Sequence, residues 1–121
     1  MEAMKKDIKN RDDLKILVDA FYEKVKQDDL IKHYFLHLDW EKHLSIMYDF
    51  WDNTIFYTGN YNGNPLNAHR KLSERFPLKG EHFKRWEILF FATVDELFAG
   101  LNAELIKQRA ASISTVMQLK V

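Results

Sequence analysis

Residues 60–72 read NYNGNPLNAHRKL, and the meaning of the rest of the chain turns on them. A loop of Asn and Gly gives way to Pro65, and His69 follows four residues later. Asn64 can cap a helix, and Pro65 suits its first position, where a missing N–H leaves nothing unsatisfied. His69 then closes the first turn, on the face that carries Leu66, Leu72 and, farther along, Leu78. A histidine held on a short, well-started helix among apolar residues is well placed to ligate a metal. It is also a common way to bury an ordinary histidine, and the stretch alone favours that plainer reading.

The rest of the chain bounds the choice. With 121 residues, a single domain spanning 1–121 is expected, large enough for a core with little to spare. Nine Phe, five Tyr and three Trp give more ring surface than a plain core of this size needs, and would suit the walls of a flat apolar ligand site. Eighteen basic residues balance eighteen acidic ones, so no net field argues for nucleic acid or an anionic membrane. The absence of cysteine excludes disulfides, thiolate ligation and a cysteine zinc site. There is no apolar leader and no run of membrane-spanning length, so the expectation is a soluble cytoplasmic monomer.

Only four Gly and two Pro interrupt the chain, and helical spacing recurs throughout, which predicts an all-α domain. A polar lead-in precedes Asn10, which with Asp13 makes a capping arrangement. The first strong helix runs from about Arg11 to Gln27, with Leu14, Leu17, Val18, Phe21 and Val25 on one face. Tyr22 lies at the edge of that stripe. Pointed inward, it would need a hydroxyl partner; spacing alone reads it as a rim tyrosine with its hydroxyl in water. Asp28 and Asp29 end this helix, and a short one from Leu30 to about Leu36 follows.

Asp39 caps the next helix, Trp40 to about Tyr57, whose face carries His43, Met47, Phe50, Trp51 and Thr54. His43 at the mouth of that stripe either gates a pocket or reaches solvent; spacing does not choose. Thr58 to Asn64 reads as a loop, followed by the His69 helix and a proline-broken stretch to Gly80. The helix Glu81 to Phe98 stacks Phe83, Trp86, Phe90, Val94 and Leu97. Gly100 ends it, Asn102 caps the last helix, and the two are expected to pack antiparallel. The last apolar face is Ile106, Ala110, Ile113 and Met117.

His33 and His37 have spacing that can bind zinc from one helix face, but with no third ligand they read as surface histidines. The paired carboxylates, Asp12–Asp13, Asp28–Asp29 and Asp95–Glu96, read as caps and solvated charge. No phosphate-binding glycine loop, nucleophile elbow or HExxH motif is present, which excludes the common hydrolase patterns. What remains is one set: His69, His43, Tyr22 and Trp86.

Together these residues resemble a group III truncated haemoglobin. The matching segments are FYEKV around Tyr22, DWEKHLSIMYDFW around His43, YNGNPLNAH ending in His69, and HFKRW with Trp86. TVDELFAG and the closing KQRAASISTVMQ are also similar to that family, and the likeness spans almost the whole chain from Asp7 on. The absence of Gly-Gly pairs fits this group better than the other truncated groups. Glu87 departs from the pattern, where the family would be expected to carry leucine.

The resemblance implies a two-over-two helical sandwich, in which long helices B and E lie across G and H while A and F are reduced. It implies His69 as proximal ligand of a haem iron. Tyr22, His43 and Trp86 are then the distal residues, Phe35 the ring packed on the haem, and Met47, Phe50 and Trp51 wall residues. Arg70, Lys71, Arg75 and Tyr61 are candidate propionate partners by position only. Without cysteine the haem would be b-type, held by ligation and burial. The implied function is binding or transport of O₂, with CO and NO as further diatomic ligands. A peroxidase-like or NO dioxygenase enzyme, served by a reductase, is the alternative on the same scaffold. A third reading is a haem-free helical interaction module.

Overall fold

The computed structural model describes residues 5–36, 38–59, 61 and 78–120. Among the described residues four α-helices are formed: α1, Arg11–Gln27; α2, Trp40–Phe56; α3, Gly80–Leu97; and α4, Leu101–Lys120. A single 3₁₀ turn, Lys32–Phe35, lies between α1 and α2, and no strand occurs among the described residues. The all-α expectation holds. The helix expected around His69, with Arg70, Lys71 and Arg75, falls outside the described residues, as does His37.

α1 starts as its sequence dictates. The Asn10 side chain accepts from the backbone N–H of Asp13, and the Asp13 carboxylate reaches back to accept from Lys9. Two donors that a helix start leaves open are thereby satisfied. Leu14, Leu17, Val18, Phe21 and Val25 are all buried, the apolar stripe of a helix enclosed on more than one side. α1 packs on α2 and on α3, α2 touches α4, and α3 pairs with α4 across the turn Phe98–Gly100. The core lies where these pairs cross, around Phe21, Phe90, Val94 and Ile106. Phe90 is fully enclosed, with Trp51 stacked on one neighbouring side at 5.0 Å and Trp86 at 5.4 Å.

The short helix expected from Leu30 to Leu36 is a tighter, shorter turn. Ile31 and Tyr34, three residues apart, both face inward, and a three-residue repeat aligns them. Asp28, read as solvated charge, is buried instead. Its carboxylate accepts from the Leu30 N–H at 3.1 Å and from Arg85 Nε at 2.6 Å, tying the end of α1 to α3. Burying a carboxylate is tolerated only with such partners.

A second correction concerns α4, which Asn102 does not cap. Asp7 does, from the other end of the sequence: its carboxylate accepts from the N–H groups of Asn102 and Ala103, both at 2.9 Å. The Asn102 side chain donates instead to the Ile8 carbonyl. The polar lead-in is thus anchored, with Ile8 fully buried and Lys6 accepting from the Ala99 N–H. Gly100 is required here, because a Cβ at that position would sit 2.5 Å from Asp7 Cγ and its φ is +142°. Burial pushes the Asp7 carboxyl up. The three backbone N–H groups of Asn102, Ala103 and Ile8, with nearby Lys9, outweigh it and hold the group below 3.8.

Candidate functional site

A cleft opens between the helix pairs and holds about 930 Å³ of space, its mouth included. Each helix contributes to its wall. α1 presents Tyr22, α2 presents His43, Met47, Phe50 and Trp51, and α3 presents Trp86. Phe35 enters from the 3₁₀ turn. These seven candidates, distant in sequence, meet at one place.

Tyr22 is not a rim residue. It is 6% exposed, enclosed by three rings from two other elements: Phe35 at 5.9 Å, Trp40 at 5.5 Å and His43 at 5.0 Å between centroids, all edge-on. Burial pushes its phenol far above the ordinary value of 10, so it stays a hydroxyl and can donate. Trp40 itself stacks on Phe35 at 6.1 Å between centroids, and Lys26 Nζ sits over the Trp40 ring, 4.4 Å from its centroid. Sequence reasoning passed Trp40 by, since it opens a helix and carries no register signal.

His43 lines the cleft beside Tyr22, half-buried, with its backbone N–H held by the Asp39 carbonyl in the first turn of α2. Of the two openings left by its spacing, the pocket is the one it takes. Trp86 is half-buried, edge-on to Phe21 at 5.8 Å and stacked on Phe90, so its indole plane is fixed by the core behind it. Next to it in α3, Arg85 is held by Asp28. Tyr61 packs edge-on to Phe50 at 5.1 Å and does not line the cleft.

The cleft also contains residues the sequence did not single out. Tyr34 and His82 lie in the wall and are joined: the Tyr34 hydroxyl and His82 Nδ1 are 3.2 Å apart. His82 Nδ1 accepts from the Lys79 N–H as well, closing the start of α3. Its place three residues after Lys79 was the available signal, since that is where a side chain reaches back to cap. Ile113, Ser114 and Met117 of α4 also line it. Their apolar register was legible; that they face a cavity was not.

The residues present fit a haem. A flat macrocycle needs long apolar walls from facing helices, which Phe35, Met47, Phe50, Phe83 and Met117 supply. Among the described residues no cluster of three or more His, Cys, Asp or Glu could hold a metal ion directly, and none of their helices is long and apolar enough to cross a membrane.

Fold and cleft together define a small helical globin. No family model matches the chain. It is 37% identical over 97 residues to the group 1 truncated hemoglobin GlbN of Synechocystis sp., a match covering 79% of this chain and 77% of that protein. It is 29% identical over 121 residues to the group 3 truncated hemoglobin ctb of Campylobacter jejuni, covering 95% and 93%. The crystal structure of the group III truncated hemoglobin from that organism superposes with a TM-score of 0.84 at 30% identity, over 95% of this chain and 93% of that one. Chlamydomonas reinhardtii THB1 shares the fold, with a TM-score of 0.69 at 21% identity over 92% and 89%. The chain belongs to the truncated haemoglobins, in group III. The group 1 match is higher in identity but shorter; likeness along the whole chain and in three dimensions decides the group.

Proposed function

We propose that this protein binds b-type haem through His69 and holds O₂, or CO and NO, at an open distal position. The observation that carries this reading is the meeting of Tyr22, His43 and Trp86 in one wall of an apolar cleft. When bound, the haem supplies an iron that takes a diatomic ligand in its sixth position. The chain's residues do the rest. The Tyr22 hydroxyl and the Trp86 Nε1–H donate to the ligand and slow its escape, in a site where low polarity strengthens each bond. His43, next to Tyr22, closes the same side. Phe35, Met47, Phe50 and Trp51 exclude water and seat the macrocycle. Arg70, Arg75 and Tyr61, the last packed on Phe50, are candidate partners for its carboxylates.

The setting of this reading is one domain, 1–121, acting as a cytoplasmic monomer. The same donors would polarise a peroxide or orient O₂ for attack by NO. An enzyme of peroxidase-like or NO dioxygenase type, kept reduced by a reductase, is therefore the alternative. Family membership and the donor set support both.

The test is the visible spectrum of the purified protein, ferric, reduced and with CO, beside His69→Ala. A five-coordinate ferrous spectrum that forms a CO adduct, with haem lost or loosened in the variant, is the expected result. A six-coordinate ferrous spectrum would make His43 an internal ligand. A chain that takes up no haem even on reconstitution would leave a helical interaction module in its place. Turnover with peroxide, or with NO and a reductase, separates the enzyme from the binding protein.

A further inference from the structure

We infer that Trp40 is a positioning residue for the distal site: standing outside the cleft, it fixes the Tyr22 ring and so aims the Tyr22 hydroxyl at a bound ligand, a role that rests on the haem reading above.

Every pair among Tyr22, Phe35, Trp40 and His43 is in ring contact. Tyr22 meets Trp40 at 5.5 Å between centroids, at an interplanar angle of 66°. Trp40 also stacks on Phe35 at 6.1 Å and meets His43 edge-on at 5.8 Å, while Phe35 and His43 meet at 6.2 Å. Such separations suit edge-to-face and offset-stacked attraction, so each ring resists rotation of the others. Tyr22, Phe35 and His43 line the cleft, and Trp40 does not. The indole is thus the member of the set that has no face to give to an incoming ligand. It supports the other rings from behind.

Trp40 is itself held from outside. Lys26, in the last turn of α1, places Nζ 4.4 Å from the indole centroid, and an indole is the side-chain ring that attracts a cation best. The same ammonium lies 3.2 Å from a Glu23 carboxylate oxygen, which keeps it on α1. Asp39 caps the first turn of α2 and fixes the backbone that carries Trp40. The end of α1 and the start of α2 are tied through the indole.

A hydroxyl at the tip of a phenol sweeps a wide arc when the ring turns about its Cα–Cβ bond. A hydrogen bond tolerates little of that arc, since it needs about 3 Å and good alignment. The space beside the ring must therefore stay filled. Removing the indole leaves a void that the surroundings close only in part, and Tyr22 gains room to swing.

The experiment uses the haem-loaded natural chain, Trp40→Ala, Trp40→Phe, Tyr22→Phe and the double variant Trp40→Ala with Tyr22→Phe. It reads the C–O stretch of the ferrous CO adduct in the infrared and O₂ dissociation by stopped-flow. Donation to the CO oxygen lowers the stretch, so the band should rise in Tyr22→Phe. Trp40→Ala should add a band at the higher frequency and speed O₂ dissociation by up to about tenfold, the factor for losing the hydrogen bond outright. Trp40→Phe, which keeps a ring on Phe35, should restore the lower band. In the Tyr22→Phe background Trp40→Ala should not speed dissociation further, because the hydroxyl it aims is gone. Ile8→Ala, a change at a fully buried residue outside the cleft, should leave the band in place. Where Trp40→Ala does not fold, Trp40→Leu takes its place.

An unmoved band in Trp40→Ala would overturn the inference, as would an equal shift in Ile8→Ala. Equal acceleration with and without the Tyr22 hydroxyl would do the same. A chain that takes up no haem, seen in the absorption spectrum before CO is added, would overturn the haem reading and this role with it. A loaded chain with an unmoved band overturns the role of Trp40 alone.

Discussion

The rings of Tyr22 and His43 meet edge to face with centroids 5.0 Å apart, so α1 and α2 touch within the wall of the cleft. Trp86 of α3 stands in the same wall. Removing the Tyr22 hydroxyl while keeping its ring isolates the hydrogen bond from the packing. A hydrogen bond of about 1–1.5 kcal/mol net corresponds to about tenfold in rate. Tyr22→Phe should therefore speed O₂ dissociation by about that factor in stopped-flow, with the melting temperature little changed. Trp86→Phe should do likewise. If both donors address one ligand, the double variant will depart from additivity by more than about 0.5 kcal/mol.

Asp7 makes a measurable demand on acid stability. Asp7→Ala leaves two N–H groups of α4 without their acceptor and should cost about 1–2 kcal/mol in denaturant unfolding. The sign of the pH effect follows from a carboxyl held below 3.8 in the fold. Its contribution is present in full above the unfolded value and is lost as pH falls through the lowered folded one. The stability gap between the natural chain and Asp7→Asn should be flat from neutral pH to about 5 and close in stronger acid.

The Asp28–Arg85 pair gives an asymmetric prediction. The carboxylate is buried and the guanidinium is 43% exposed. Arg85→Ala strands a buried charge and should destabilise by about 2 kcal/mol, tempered by the water its removal admits. Asp28→Asn with Arg85→Ala should recover part of that loss, since the stranded charge is gone. Thermal melts of the two variants check it.

Tyr57 ends α2 in the left-handed region at φ 57°, with its ring 77% exposed. An L side chain there is strained by about 1 kcal/mol and gains little from packing. Tyr57→Gly should raise stability by about 0.5–1 kcal/mol at the melting midpoint, with spectra unchanged. A loss of stability would mean the ring has a role that its exposure hides.

What the sequence disclosed depended on how local each signal was. α1 has the expected limits, Arg11 to Gln27, because Asn10 and the apolar repeat act within a few residues. α2 likewise starts behind Asp39, whose side chain accepts from the Lys42 N–H. Tyr22 was read as a rim residue because its enclosure comes from Phe35, Trp40 and His43, which lie on other elements. Asp28 was read as solvated charge because its partner Arg85 is 57 residues away. The cleft residues carried by the family motif came together, whereas Tyr34 and His82 belong to no periodic stripe and became visible as a pair only in three dimensions.

The Asp7 contact joins positions 95 and 96 residues apart. On the ribosome, the carboxylate that starts α4 emerges long before the two amides of that helix that it serves. Domains tend to organise from the N-terminus as they emerge, and α1 can form early behind Asn10. The last helix differs: its first turn is completed by a residue already waiting, in a sequence held beside α1 by Ile8. Hydrogen exchange on stalled chains of increasing length would find the α4 amides unprotected until both ends are present, then protected together.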